Sequence, residues 1–316
     1  MTLFGKDFEK TNKLASTGFE QGALGDNYFL TMLAALADKE NIIPNLFHQK
    51  KYTHEGIFAL KVYVKGRPED VTVDDLFPIY NNQPAFAKPT EDGGWWVPLL
   101  EKAYAKVNIN YETVSSGSQA EAARFLTGAP SREFKTNYQS IDELWDSLTQ
   151  NLKKDFVITT ACFVDHFGLM PGQGFVVKGF LLDGNTKIIK MKSPWKKQEN
   201  SKDWSGKYSK LDKNMTEATK KAIGFDKLKK GEFLMTLDDF RQAFNYYTVV
   251  YLKKMENSFI EKKGALNKKN YRFNFTITDE MISGKPPKTK TKAMKKKKAL
   301  PEVESEETAD TEASST

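Results

Sequence analysis

Cysteine is all but absent: Cys162 is the single one in the chain. No intrachain disulfide can form, and a reducing compartment is the natural expectation. Histidine is nearly as scarce, at His48, His54 and His166. One cysteine and three scattered histidines exclude a Cys-rich zinc site. Long apolar runs are missing too. The longest, Tyr28 to Ala37, falls well short of the ~20 residues a membrane span needs and reads as a buried helix. Met1 to Lys13 is charged throughout, against a secretory signal. Gly168, Gly172, Gly174 and Gly179 do not fall at P-loop or dinucleotide-fingerprint spacing. What the chain does have is 39% hydrophobic and 12% aromatic residues, enough for a sizeable core. Its 28% charged fraction and net charge of +7 suit a soluble protein, and 316 residues allow one to three domains.

The far end separates by composition. Residues 285–298 are rich in Pro and Lys, ending in Lys295, Lys296, Lys297 and Lys298; from Pro301 onward the chain is acidic, then Ser and Thr rich. Such a segment buries too little to offset its chain entropy, so residues 285–316 are expected to be disordered. Residues 255–284 read as an extension containing one alternating strand, Tyr271 to Ile277. Before it the pattern is mixed. Asn27 to Asp38 is apolar on nearly every face, with Asp26 or Asn27 suited to cap it. Trp95 to Val107 has helical spacing, and Ser140 with Glu143 opens another helix as a capping box. Thr236 with Asp239 opens a third in the same way. Ile57 to Val64, Val71 to Val73, Phe156 to Phe163, Gly174 to Leu182, Lys187 to Met191 and Tyr246 to Leu252 read as strands. The first half is helix-heavy and the second strand-heavy, with a break near Gly128, so the expected parts are 1–128 and 129–254.

Residues 21–37, QGALGDNYFLTMLAALA, resemble the nucleophile segment of calpain cysteine proteases, Gln-Gly-x-Leu-Gly-Asp-Cys-Trp followed by an apolar helix. VDDLFP at 73–78, LLEKAYAK at 99–106, SGSQAEAARFLTG at 116–128 and GEFLMTLDDF at 231–240 resemble further calpain segments in family order. The resemblance covers about residues 18 to 252. It implies an α+β, papain-like calpain protease core of two subdomains.

The family's cysteine sits at a helix N-terminus, where free N–H groups and the macrodipole favour a thiolate. Here that position is Asn27, followed by Tyr28 in place of tryptophan. The family's glutamine, which helps to hold the oxyanion, matches Gln21. Its histidine, in Lys-Gly-His-Ala-Tyr, matches Gln173, and its asparagine, in Asn-Pro-Trp-Gly, matches Ser193. The tryptophan that shields the histidine–asparagine contact matches Trp195. A carboxamide at 27 is no nucleophile and one at 173 no general base, so the resemblance implies a pseudoprotease with three degenerate positions. Asn27, Gln173 and Ser193 are instead expected to form a neutral hydrogen-bonded cluster. Acidic calcium-loop positions of the family match Gly18, Gly94, Lys210 and Lys230, with Asp203 and Glu232 left near the second loop, so no calcium site is expected. No cofactor is implied. From the residues after Leu252, the family's β-sandwich and penta-EF-hand modules are not expected.

The expected function is that of a scaffold or interaction module. Triad-lacking calpain-like proteins suggest a cytoplasmic place at a cilium, axoneme or cytoskeleton, and the Lys-rich tail suits an acidic partner such as tubulin. One alternative is a hydrolase with a relocated nucleophile, Cys162, although a lone cysteine in an apolar strand is usually core. The other is a nuclear or nucleic-acid protein bound through the tail, although no RNA-binding aromatic motif accompanies the lysines.

Overall fold

The computed structural model describes residues 2–196 and 204–252, all of them within one compact unit, Met1–Gly264. The extension, the tail with Lys295 to Lys298, and Asp203 lie outside the described residues. The chain opens with a short helix, α1 (Lys6–Thr11), then α2 (Asn27–Ala37) and α3 (Ile42–Leu46). Two hairpins follow, β1 (Ile57–Val64) with β2 (Arg67–Asp74), and β3 (Ile79–Tyr80) with β4 (Gln83–Pro84). Helices α4 (Trp96–Val107) and α5 (Gln119–Thr127) close this helical part. The remainder comprises β5 (Ser131–Lys135), α6 (Ile141–Lys153), β6 (Val157–Ala161), β7 (Gly174–Asp183), β8 (Thr186–Lys192), α7 (Glu217–Ala222), β9 (Glu232–Thr236), α8 (Leu237–Ala243) and β10 (Tyr246–Val250). Its six strands form one antiparallel sheet in the order β5-β10-β6-β7-β8-β9. The class is α+β. Among the described residues no helix is long and apolar enough to cross a membrane.

Helix α2 forms the spine. Tyr28 through Leu36 are all buried, so it packs on every side, as a helix apolar all round must. Helices α3, α4 and α5 pack around it, and its remaining flank lies against β6 and β7. The capping expectation for α2 fails: Asp26 is the N-cap, but its side chain makes no cap hydrogen bond. The carboxyl is fully buried and turned toward Glu101 of α4. The Ser140–Glu143 box is complete. At α8 only half a box forms: Thr236 accepts from the Asp239 amide, while the Asp239 carboxylate takes the Thr236 hydroxyl at 2.7 Å.

Candidate functional site

The first turn of α2 carries Asn27, half-buried, at its opening residue. Gln173 is the residue before β7, and Ser193 the residue after β8. Since β7 and β8 pair as Val176 with Lys192, Gln173 and Ser193 sit at the same end of adjacent strands. Helix α2 meets that end closely. A Cβ added at Gly174 would lie 2.0 Å from Thr31 Oγ1, one turn below Asn27. The Gly174 carbonyl accepts from Trp195 Nε1 at 2.8 Å. Trp195 pairs in parallel with Phe19: the Phe19 amide donates to the Pro194 carbonyl at 2.9 Å, and the Lys196 amide to the Phe19 carbonyl at 2.8 Å. The chain that leads to Gln21 thus runs beside Ser193 to Lys196, and the helical and sheet parts meet along one seam that gathers Gln21, Asn27, Gln173, Ser193 and Trp195.

The expected hydrogen-bonded cluster is not formed. Among the described residues no side-chain bond links Asn27, Gln173 and Ser193, and Gln21 Nε2 turns back to the Leu24 carbonyl. Two carboxamides and a hydroxyl offer no group that titrates near neutral pH. Tyr28, beside Asn27, is buried with its hydroxyl on the Val114 carbonyl at 3.0 Å, and burial pushes its pKa upward.

Cys162 lies one residue past β6, fully buried, with Sγ on the Val164 carbonyl at 2.8 Å. Burial pushes its thiol up. His166 does not face it but reaches Asp239 at 3.3 Å.

Two polar groupings escape a reading of the sequence. Asp26 and Glu101 form a buried acid pair directly behind Asn27. Burial pushes Asp26 up to about 7, and burial with the Asp26 charge raises Glu101 well above the usual carboxylate range. Glu101 accepts the Ala87 amide on both oxygens at 3.1 Å, whereas Asp26 has no donor of its own. Of the two, Glu101 is the carboxyl held furthest toward its protonated form, and it faces Asp26. The second grouping sits at the other end of α2. Asp38 is held by Lys192 Nζ at 2.7 and 2.8 Å, by Lys178 Nζ at 2.9 Å and by Ser16 Oγ at 2.5 Å. Lys192 Nζ also donates to Ser16 Oγ at 2.6 Å. Serine, lysine and aspartate are the residue types of a Ser–Lys hydrolase. Here Lys192 Nζ faces Ser16 and both Asp38 oxygens: burial pulls its pKa down and Asp38 opposes that, and the carboxylate competes with the serine for its protons, which makes it a poor base. Two clefts, of about 520 and 270 Å³, also lie at that end, both lined by Lys39 and Asp155 and neither by Asn27, Gln173 or Ser193.

Around the seam the acidic side chains meet lysines. Lys230 reaches Glu91 at 2.5 Å, Lys196 reaches Glu20 at 2.8 Å, and Lys190 reaches Glu232 at 2.7 Å. Among the described residues no group of three or more His, Cys, Asp or Glu is placed to hold a metal ion.

A family model described as calpain family cysteine protease matches residues 5–251. The chain belongs to that family, and its fold is the calpain protease core. It is 27% identical over 243 residues to human calpain-9, across 71% of this chain and 35% of that protein. It is 30% identical over 250 residues to calpain-A of Drosophila melanogaster, across 72% of this chain and 30% of that protein. With the calpain-type cysteine protease DEK1 of Zea mays it shares 29% identity over 255 residues, 75% of this chain and 12% of the relative. The matched region thus spans about a third or less of these relatives.

Proposed function

We propose that this chain is a calpain-family pseudoprotease, in which the protease core serves as a non-catalytic scaffold that binds a protein partner. The observation that carries the reading is the chemistry at the three matched positions: Asn27, Gln173 and Ser193 supply neither thiolate nor imidazole. Loss of one triad member can cost on the order of 10⁶ in turnover, and further losses add little. Cys162 gives no support to a relocated nucleophile, because its thiol is buried, pushed away from ionisation and bonded to a carbonyl. Surface character favours interaction. Phe163, Val164, Phe167 and Met170 are exposed on the loop that leads into Gln173, and Leu76, between β2 and β3, and Ile79 and Tyr80 of β3 are exposed as well. The Lys-rich segment 285–298 suits an acidic partner, which fits a cytoplasmic scaffold at the cytoskeleton or a cilium.

The purified full chain should cleave no casein, with or without calcium. Asn27→Cys should gain reactivity toward a small alkylating agent, since a thiol at a helix N-terminus ionises readily, and still cleave no peptide. Calcium-stimulated cleavage by the unmodified chain, abolished in Asn27→Ala, would overturn the reading.

A further inference from the structure

We infer that an ionic latch centred on Asp38 holds the helical part of the core against its sheet, and so sets the closure of the seam where Asn27, Gln173 and Ser193 lie. The inference concerns how the core is held together and stands whether or not the site is inactive. Asp38 directly follows α2, where the helix dipole disfavours an anion. It needs cations, and both come from the opposing sheet: Lys178 from β7 and Lys192 from β8. Burial works against the Asp38 charge, but Lys192 and Lys178 together still hold its carboxyl below the usual range. Ser16 closes the ring by donating to Asp38 while accepting from Lys192.

Placement makes this a latch and not merely a buried ion pair. Ser16 stands three residues before Phe19, and Lys192 two residues before Pro194. The Phe19 amide and the Pro194 carbonyl form one of the two backbone bonds named across the seam. The network therefore pins the two strands of chain immediately beside the point where they pair. Lys192 is 5% exposed. The other cross-seam pairs named above, Lys196 with Glu20 and Lys230 with Glu91, are far more exposed, and such pairs hold little. Removing Asp38 strands two ammonium groups beside each other, whereas removing Ser16 weakens the ring without altering any charge.

Amide hydrogen exchange on the full chain tests this. Phe19 and Lys196 report on the seam; Leu33 in α2 and Val249 in β10 report on the two cores. Asp38→Asn should speed exchange of the seam amides by about tenfold while the core amides hold their rates. Ser16→Ala, the milder variant that keeps the fold if Asp38→Asn does not, should speed the same seam amides several-fold. Unchanged seam exchange in Ser16→Ala would overturn the latch. So would acceleration of seam and core amides by one common factor, which would make Asp38 a contributor to global stability alone.

Discussion

Thr31 and Gly174 set how closely α2 approaches β7. With a hydrogen at 174 the helix can lay the Thr31 side chain against the strand; a Cβ there would lie 2.0 Å from Thr31 Oγ1 and 2.8 Å from Thr31 Cβ. Thr31 is β-branched and fully buried, so it has little room to turn away. Gly174→Ala should therefore cost about 1–3 kcal/mol through overpacking. Thr31 Oγ1 has no hydrogen-bond partner, so trimming this side chain sacrifices no polar contact. The double variant Thr31→Ala with Gly174→Ala should recover most of the loss, because the first change removes the atoms that the new methyl would meet. Urea midpoints for the two single variants and the double decide it: costs that simply add would show that the residues do not compete for one space.

At the scale of elements, α2 and α4 are joined by the Asp26–Glu101 pair, and the pair makes their packing pH-dependent. Both carboxyls are raised in the folded state, so the folded chain holds protons that the unfolded chain has released. The stability this contributes is fully present below the ordinary carboxylate range and is lost as pH rises toward about 7. The loss should be on the order of 2–4 kcal/mol between pH 4 and pH 7. Tyr28 from α2, Tyr104 from α4 and Tyr111 from the following loop face the pair, and their raised phenols stay neutral across that window. Asp38 changes stability in the opposite direction, so the comparison is with Asp26→Asn. The stability difference between the unmodified chain and this variant should shrink or reverse as pH rises; a difference independent of pH would refute the shared proton. None of this was visible in the sequence. A run such as NYFLTMLAALA announces a buried helix, and the alternation in β1 announces a strand, because local periodicity carries the signal. The position of Asp26 before that run predicts a cap equally well, and only the arrival of Glu101, 75 residues later, redirects it. Short elements failed for a related reason: α3 is five residues with Pro44 inside, and α7 is six residues with nothing buried, too little for any periodicity. The latch joins residues 154 apart in the chain, which no local pattern encodes.

At the scale of the whole molecule, among the described residues lysines stand beside three of the acidic side chains near the seam. Calcium takes about six to eight oxygens, several of them from carboxylates. Glu232 instead lies 2.7 Å from Lys190, Glu91 lies 2.5 Å from Lys230, and Glu20 lies 2.8 Å from Lys196. Asp92 accepts the Thr90 hydroxyl at 2.6 Å and the Asp7 amide at 3.3 Å. To bind calcium at the seam, an ion would have to displace an ammonium already in place and recruit neutral oxygens for the rest of its shell. Gly18 and Lys230, two of the positions at which the resemblance implies no acid, both meet Glu91: its side chain packs against Gly18 and its carboxylate accepts from Lys230. Calcium should therefore leave the thermal midpoint where it is. A ligand that binds only the folded state at a hundred times its dissociation constant adds about 2.7 kcal/mol. In a core of this size that would raise the midpoint by roughly 5–10 °C. A scan of the full chain in millimolar calcium, beside one in magnesium, separates the cases. Coincident midpoints are expected, whereas a calcium-specific rise of that size would mean that an oxygen shell assembles despite the lysines.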